Sequence, residues 1–493
     1  MNLGLRWSYE SPFTTKYGQQ SQFDPNATDP LTGLKGAITH PAGLLGNRNF
    51  KHFQPRIGLA YRASDKLVFR GGFGITSVDL FTTDFNQNFE EYSSSASIQR
   101  PSGDPRTAFS LSQGPGPINY TILPNGTSPF VGTNYSARNA TRYDPSLSNP
   151  YAMNWNATLQ YQFRPTWMAE LSYQGSAGVG LLEQWDTNTI PLNISSDPAT
   201  LNRIYQNQQA NKPFPNYGSI FMWSNFGHST YHSGTIKLEK RTSFGLTMTS
   251  FYTRSKAIDD CDNDGLCTGI TYYNRSLEKG RAGFDVTNRS VTYLTYEVPF
   301  GKTRKWMTGG GVKDYILGGW NASVIQTFQS GLPVTFTLNA TGATTAAGSP
   351  YPYFPGNGAL RPNQILPNDQ LVVQNWTIGD RFNNNLKNAM WNINAFSNPA
   401  AFTAGTLGRN TIDGPGLNWT QTSLAKNITI KERYVFQVRY DINNVFKQPN
   451  FVNPSSVVNL RSPSLFGKPT ATQGGWCCLG GQFVSTLALK FTF

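Results

Sequence analysis

The last residues of the chain, QFVSTLALKFTF, alternate without a break. Phe483, Ser485, Leu487, Leu489, Phe491 and Phe493 fall on one side, and Gln482, Val484, Thr486, Ala488, Lys490 and Thr492 on the other. A period of two is what a pleated strand imposes, so this segment is predicted as a strand with one apolar and one mostly polar face. The pattern recurs. Phe436, Val438, Tyr440 and Ile442 alternate with Gln437, Arg439, Asp441 and Asn443, and Ile236 and Leu238 alternate with Lys237 and Glu239. Either a soluble sheet packed on a core or a membrane barrel, with lipid outside and water within, asks for such alternation. A row holding Arg439 and Asp441 would be costly in the core of a sandwich and suits a watery lumen.

The spacing of these strands separates the two options. They come in pairs joined by short turns: Pro55 to Ile75 turning at Ser64-Asp65, Tyr151 to Ser176 at Arg164-Pro165, Thr235 to Lys256 at Ser243 to Gly245, and Asn427 to Phe446 near Lys431-Glu432. A fifth pair, VTYLTYEVPF and YILGGWNASVIQTFQSGLPVTF, has a longer connection from Gly301 to Asp314. Between pairs lie long stretches rich in Asn, Gly, Pro, Ser and Thr: Ser11 to Gln54, Thr76 to Pro150, Ala177 to Thr230, Ala257 to Asn288, Asn339 to Gly416 and Lys447 to Gly481. These read as irregular loops, which are rare at this length in compact soluble domains. With the opening LGLRWSYE and the closing segment, twelve strands are expected, short turns at one end and long loops at the other. The expected fold is all-β: an antiparallel transmembrane outer-membrane β-barrel with short periplasmic turns and long extracellular loops. Aromatics near strand ends, Trp7, Tyr61, Trp155, Trp167, Tyr252 and Trp320, would form its interfacial girdles.

Composition agrees. Of 493 residues only 14% are charged, 13% are aromatic, and there are 47 Gly and 31 Pro, which favours strands and turns over helices. No run of about 18 apolar residues occurs, so no membrane-spanning helix is expected. The mean hydropathy of −0.41 does not discriminate, because a barrel wall is half polar and its loops dilute the average. The net charge of +13 is spread thinly. Its densest run is GKTRKW, Gly301 to Trp306, so nucleic acid is not an expected partner, whereas anionic lipid headgroups are compatible.

Candidate chemistry is sparse. Cys261, Cys267, Cys477 and Cys478 lack paired zinc spacing, and a disulfide closing Cys261 to Cys267 or pairing across the two loops is equally allowed. In AIDDCDNDGLC, Asp260, Asp262, Asp264 and Gly265 match the first positions of a calcium loop, but Thr271 stands where a bidentate Glu is required. A solvated acidic loop is the alternative to calcium, and no other cofactor is expected. No nucleophile elbow, zincin helix or phosphate loop occurs, and His40, His52, His228 and His232 fall in or beside loops, so no enzyme is expected.

Seven segments together resemble the TonB-dependent receptor barrels of the Oar-like type, which carry a carboxypeptidase regulatory-like domain. They are NLGLRWSYESPF, PRIGLAYRASDKLVFRGGFGI, STYHSGTIKLEKRTSFGLTMTSFYTRSKAIDD, YEVPFGK, GGWNASVIQTFQSGLPVTFT, GRNTIDGPGLNWTQTSLAKNITI and INNVFKQPNF. The resemblance runs from end to end. It implies a barrel of about 22 strands in the outer membrane of a Gram-negative bacterium, a plug and TonB box ahead of it, and a ligand caught by the loops and imported through the lumen. Neither plug nor signal peptide appears in the chain. Residues 1–493 are therefore expected to form a single domain, the C-terminal twelve strands of such a barrel, with a free-standing twelve-stranded barrel as the alternative. The implied partners are outer-membrane lipid and lipopolysaccharide, the TonB complex through the N-terminal part, the barrel-assembly machinery and a ligand of unknown class. A surface role in adhesion or secretion is the second function compatible with the family. Gln437, Arg439, Asp441 and Lys490 are the lumen-facing candidates. The ending resembles the C-terminal signal read by the barrel-assembly machinery, with Phe493 and Phe491 as its aromatic positions, Thr486 as the upstream polar one, and Ala488 where Gly is usual.

Overall fold

The computed structural model describes the chain except residues 13–19, 30–31, 42–47, 79–111, 113–138, 192, 263–268, 302–304, 307–310, 339–359, 374–388, 401–402, 431–432, 461–464 and 474–482. Among the described residues one sheet of fourteen strands is formed: twelve follow one another along a path in which each pairs with its neighbours in that order, and two short segments, Ala140–Tyr143 and Gly280–Arg281, pair onto it beside that path. The twelve are β1 (Asn2–Trp7), β2 (Phe53–Ser64), β3 (Leu67–Ser77), β4 (Tyr151–Arg164), β5 (Trp167–Asp186) and β6 (Ile220–Ser243). After them come β7 (Leu246–Asp259), β8 (Asn288–Glu297), β9 (Trp320–Gln329), β10 (Leu417–Ile430), β11 (Tyr434–Asn443) and β12 (Val484–Thr492). Every pairing along this path is antiparallel. Among the described residues β1 and β12 are not paired with each other, so the sheet is open at both edges.

Short turns gather at one end. At Phe244-Gly245 both residues have positive φ, 53° and 76°, the geometry of a two-residue hairpin whose twist matches its strands. The pairing registers then give the sheet two unlike faces. Tyr61, Phe69, Leu159, Leu171, Ile236 and Tyr252 stand opposite one another in a row across six strands, β2 to β7. One residue along, Ala60, Arg70, Thr158, Ser172, Thr235 and Thr253 form the adjoining row on the other face. The second half repeats this: Leu246, Tyr296, Ala322, Leu424, Tyr440 and Leu487 form one row across β7 to β12, and Thr247, Thr295, Ser323, Ser423, Asp441 and Thr486 its polar neighbour. Each row moves away from the turns as it crosses the sheet, from Tyr61 close to the turn end of β2 to Tyr252 well up β7, as tilted, staggered strands require.

The apolar face is not a core. Leu171 and Ile236 are 56% and 61% exposed, and the whole row from Tyr61 to Tyr252 is uncovered. The main buried cluster lies instead among the long connections, where Phe336, fully buried, packs against Trp391, Phe396 and Phe466 with ring centroids 4.7, 4.9 and 5.9 Å away. Three two-residue ladders hold this layer: Pro333–Val334 with Ile412–Asp413, Thr337–Leu338 with Val457–Val458, and Asn363–Gln364 with Phe396–Ser397. A smaller cluster joins Phe23, Ile38, Ala140, Tyr217 and Ile220.

The expectation of irregular loops is thus corrected in two respects. The described parts of Asn339 to Gly416 and Lys447 to Gly481 pack into this layer, because their scattered apolar residues find partners far away in sequence. Much of Ala177 to Thr230 is ordered too. β5 runs on to Asp186 and β6 begins at Ile220, and between them lies α1 (Pro198–Gln206), capped by Asp197, whose carboxylate accepts from the amides of Ala199 and Thr200.

Candidate functional site

The polar face pairs several of its charges. On β11 the Arg439 Nε donates to Asp441 Oδ2 at 2.9 Å, and Asp441 Oδ1 accepts from the Ser423 hydroxyl at 2.5 Å. Gln437 donates to Asn427 Oδ1 at 2.8 Å and lies opposite Lys490, which is exposed. All four candidates, Gln437, Arg439, Asp441 and Lys490, therefore share the face that carries the row from Thr247 to Thr486. The same face has Lys237 beside Glu239 at 3.0 Å on β6 and Gln160 donating to Glu170 at 2.7 Å between β4 and β5. Side chains of this kind, partly exposed and paired along and across strands, fit a surface in contact with water.

The apolar face is bounded by amphipathic side chains at two heights. Near the turns, the ammonium of Lys240 lies 5.8 Å from the ring of Trp167, and that of Lys426 lies 5.5 Å from the ring of Trp320. Nearer the loops, Trp155 Nε1 donates to the Tyr173 hydroxyl at 3.3 Å, which in turn lies 2.8 Å from His232 Nδ1, and the Tyr252 hydroxyl donates to Asn288 at 2.7 Å. Gly175 makes room for the first of these groups, since a Cβ there would run into the indole of Trp155. On β5, Trp167 and Tyr173 are roughly 20 Å apart along the strand. A cleft of about 410 Å³ beside Tyr252, Phe328 and Asn450 opens among these outer side chains, not on the polar face.

In the loop layer, two buried arginines, Arg409 and Arg361, and the partly buried Arg281 bind distant segments together. Arg409 donates through Nε to the Glu278 carbonyl at 2.7 Å and through Nη2 to the carbonyl and carboxylate of Asp259, while its Nη1 lies 2.7 Å from Asp262. Arg361 donates to Glu278 Oε2 at 2.8 Å, and Arg281 bridges Asp285 and Asp413 at 2.9 and 2.6 Å. Burial works to lower the guanidinium pKa of Arg281 and Arg409, and in both the hydrogen bonds and charges of these carboxylates outweigh it and raise the pKa further.

Of the acidic trio, Asp260 accepts from the His228 amide at 2.8 Å, and Asp262 accepts from Asn410 at 2.7 Å as well as facing Arg409. Asp264 lies outside the described residues, and among those described no group of three or more acidic, His or Cys side chains is placed to hold a metal ion. Cys261 is disulfide-bonded; Cys267, Cys477 and Cys478 lie outside the described residues. At the chain end Phe491 stacks on Tyr434 at 6.0 Å and on Phe493 at 6.1 Å, while Thr486 sits on the opposite, polar face beside Asp441.

A sheet with apolar side chains bare on one side and paired charges on the other would aggregate in water and is stable where lipid meets the first face. No curated protein matches the chain by sequence. The family model described as "Outer membrane beta barrel domain" matches residues 1–476. The chain belongs to that family. This outer-membrane barrel protein accordingly resides in the outer membrane of a Gram-negative bacterium, its short turns on the periplasmic side and its loop layer outside.

Among solved structures it is similar to the outer membrane transporter YddB from Escherichia coli, at 11% identity and a TM-score of 0.41, over 92% of this chain and 42% of that one. It is also similar to the FrpB iron transporter from Neisseria meningitidis, at 12% identity and 0.40, over 93% and 41%. The ferripyoverdine receptor of Pseudomonas aeruginosa matches at 9% identity and 0.38, over 92% and 35%. The outer-membrane barrel protein thus spans less than half the length of each of these three structures.

Proposed function

We propose that this chain is the barrel wall and loop layer of a TonB-dependent receptor of the Oar-like type, which takes a ligand at its outer loops and passes it inward along the polar face. The observation that carries the proposal is the polar face itself. Its rows of Thr, Ser, Gln and paired charges run across the sheet at right angles to the strands, and the same strands lead into the packed loop layer. Gln437, Arg439, Asp441 and Lys490 would line the path. The two open edges, β1 and β12, each present unpaired backbone groups that lipid does not tolerate, so in the membrane both edges acquire strand partners. Further strands of the same receptor would supply them, with the plug and TonB box belonging to that larger protein.

The test is uptake in cells making the complete protein, with radiolabelled ferric chelates, oligosaccharides and peptides offered separately. Accumulation of one class that stops on adding a protonophore, and falls at least fivefold in Arg439→Ala/Asp441→Ala, is expected. Energy-independent binding without accumulation would overturn import and favour the surface role in adhesion or secretion.

A further inference from the structure

The periplasmic connection between β8 and β9 exposes an apolar surface that the transport reading does not use. It contains α2 (Val312–Leu317), whose Val312, Tyr315 and Ile316 stand on one side of a short helix and are all exposed. Ahead of it Trp306 is half exposed. In the adjacent turn Phe244 is 86% exposed at a positive φ of 53°, a costly place for an aromatic side chain. The two turns are joined, since the Glu297 amide donates to the Gly245 carbonyl at 2.8 Å, and Lys305 lies 5.9 Å from the ring of Phe244 and 5.3 Å from that of Trp306.

The helix is fixed against the lipid-facing side of the wall. Trp320 and Lys426 are register partners and share the face of Ala322 and Leu424, the apolar one. Trp320 Nε1 donates to the Ile316 carbonyl at 3.0 Å, and the Lys426 ammonium donates to the carbonyls of Ile316 and Gly318. These bonds satisfy the helix C-terminus, whose partial negative charge favours a cation, and they hold α2 at the foot of the apolar band. The segment from Phe300 to Gly319 also carries four basic residues, Lys302, Arg304, Lys305 and Lys313, against one acidic residue, Asp314. A helix fixed to the lipid-facing wall, apolar outward and set in a net positive stretch of sequence, fits one surroundings: the headgroup zone of a bilayer leaflet bearing anionic phospholipid.

We infer that Lys305, Trp306 and residues 311–319, with Phe244, form an interfacial foot that rests in the inner leaflet of the outer membrane and binds anionic phospholipid headgroups through Lys305 and Lys313. The foot sets the depth of the wall in the membrane, whichever ligand the barrel carries.

The test is photo-crosslinking of the complete protein in outer membranes of growing cells labelled with [32P]phosphate. Benzoylphenylalanine replaces Tyr315, Phe244 or, as a control in another periplasmic turn, Asp65. Folding of each variant is checked by heat-modifiable gel mobility. A phospholipid adduct at Tyr315 and Phe244, at least fivefold above Asp65, is expected, and K305E/K313E should lower it several-fold with folding unchanged. A crosslink to a periplasmic protein, or no lipid adduct from a folded variant, would overturn the inference. Unchanged adduct in K305E/K313E would overturn its anionic part.

Discussion

Asp144 illustrates what a single side chain does in the loop layer. Burial works to raise its pKa, but hydrogen bonds from Ser146 and Ser224, at 2.6 Å from each hydroxyl, outweigh burial and hold the carboxyl below its ordinary range. A carboxyl depressed in the folded state contributes stability that is present above its unfolded pKa, about 3.9, and is lost as pH falls through the folded value. Asp144 sits just after Ala140–Tyr143, which pairs in parallel with β6, and its amide donates to the Trp223 carbonyl. Hydrogen exchange at the Ala140 and Asp144 amides, corrected for intrinsic rates, should lose protection below about pH 4. In Asp144→Asn that pH dependence should be absent, and its persistence would show that another group is responsible. Residues of this kind were not legible in the sequence. Arg409 meets Asp259 across 150 positions, and nothing in the local pattern of either segment announces the other.

At the scale of elements, the strands were legible because lipid and water impose a period of two on every wall segment, and short turns mark where each pair reverses. The longer reach of β5 and β6 was not, since beyond the membrane the strands stand among other segments and the clean alternation stops. Nor was α2, whose six residues are too few for a helical period to register. The alternation makes a paired prediction. Leu171 lies on the apolar face and Ser172 next to it on the polar one. Leu171→Arg places a charge against lipid at a cost of about 2–4 kcal/mol near the midplane and should cut the heat-modifiable, folded fraction sharply. Ser172→Arg should insert as the parent does. Equal loss in both variants would mean that the faces are not distinguished. Phe493 and Phe491 extend the apolar face to the chain end, and we propose that they also present the last strand to the barrel-assembly machinery. Deleting Phe493 should slow insertion in cells while leaving refolding into detergent micelles unchanged; slowing of both would assign Phe493 to the stability of the wall.

At the scale of the whole molecule, hydrophobic burial is turned outward. The wall keeps its apolar side chains bare for lipid, and the conventional core, around Phe336 and Trp391, lies in the loop layer outside the membrane. That division explains why a mean hydropathy of −0.41 accompanies a membrane protein. It also explains why the described parts of the loops, which read as irregular segments, can carry a packed core of their own. The most direct test of the account is cysteine accessibility in intact outer membranes of cells making the complete protein. Single cysteines are placed on the polar face at Thr158, Thr235 and Ser423 and on the apolar face at Leu159, Ile236 and Leu424, and each is offered a membrane-impermeant maleimide and a lipid-soluble one. The account predicts that the polar face reacts with the first reagent and the apolar face with the second alone. Equal labelling of both faces by the impermeant reagent would contradict it.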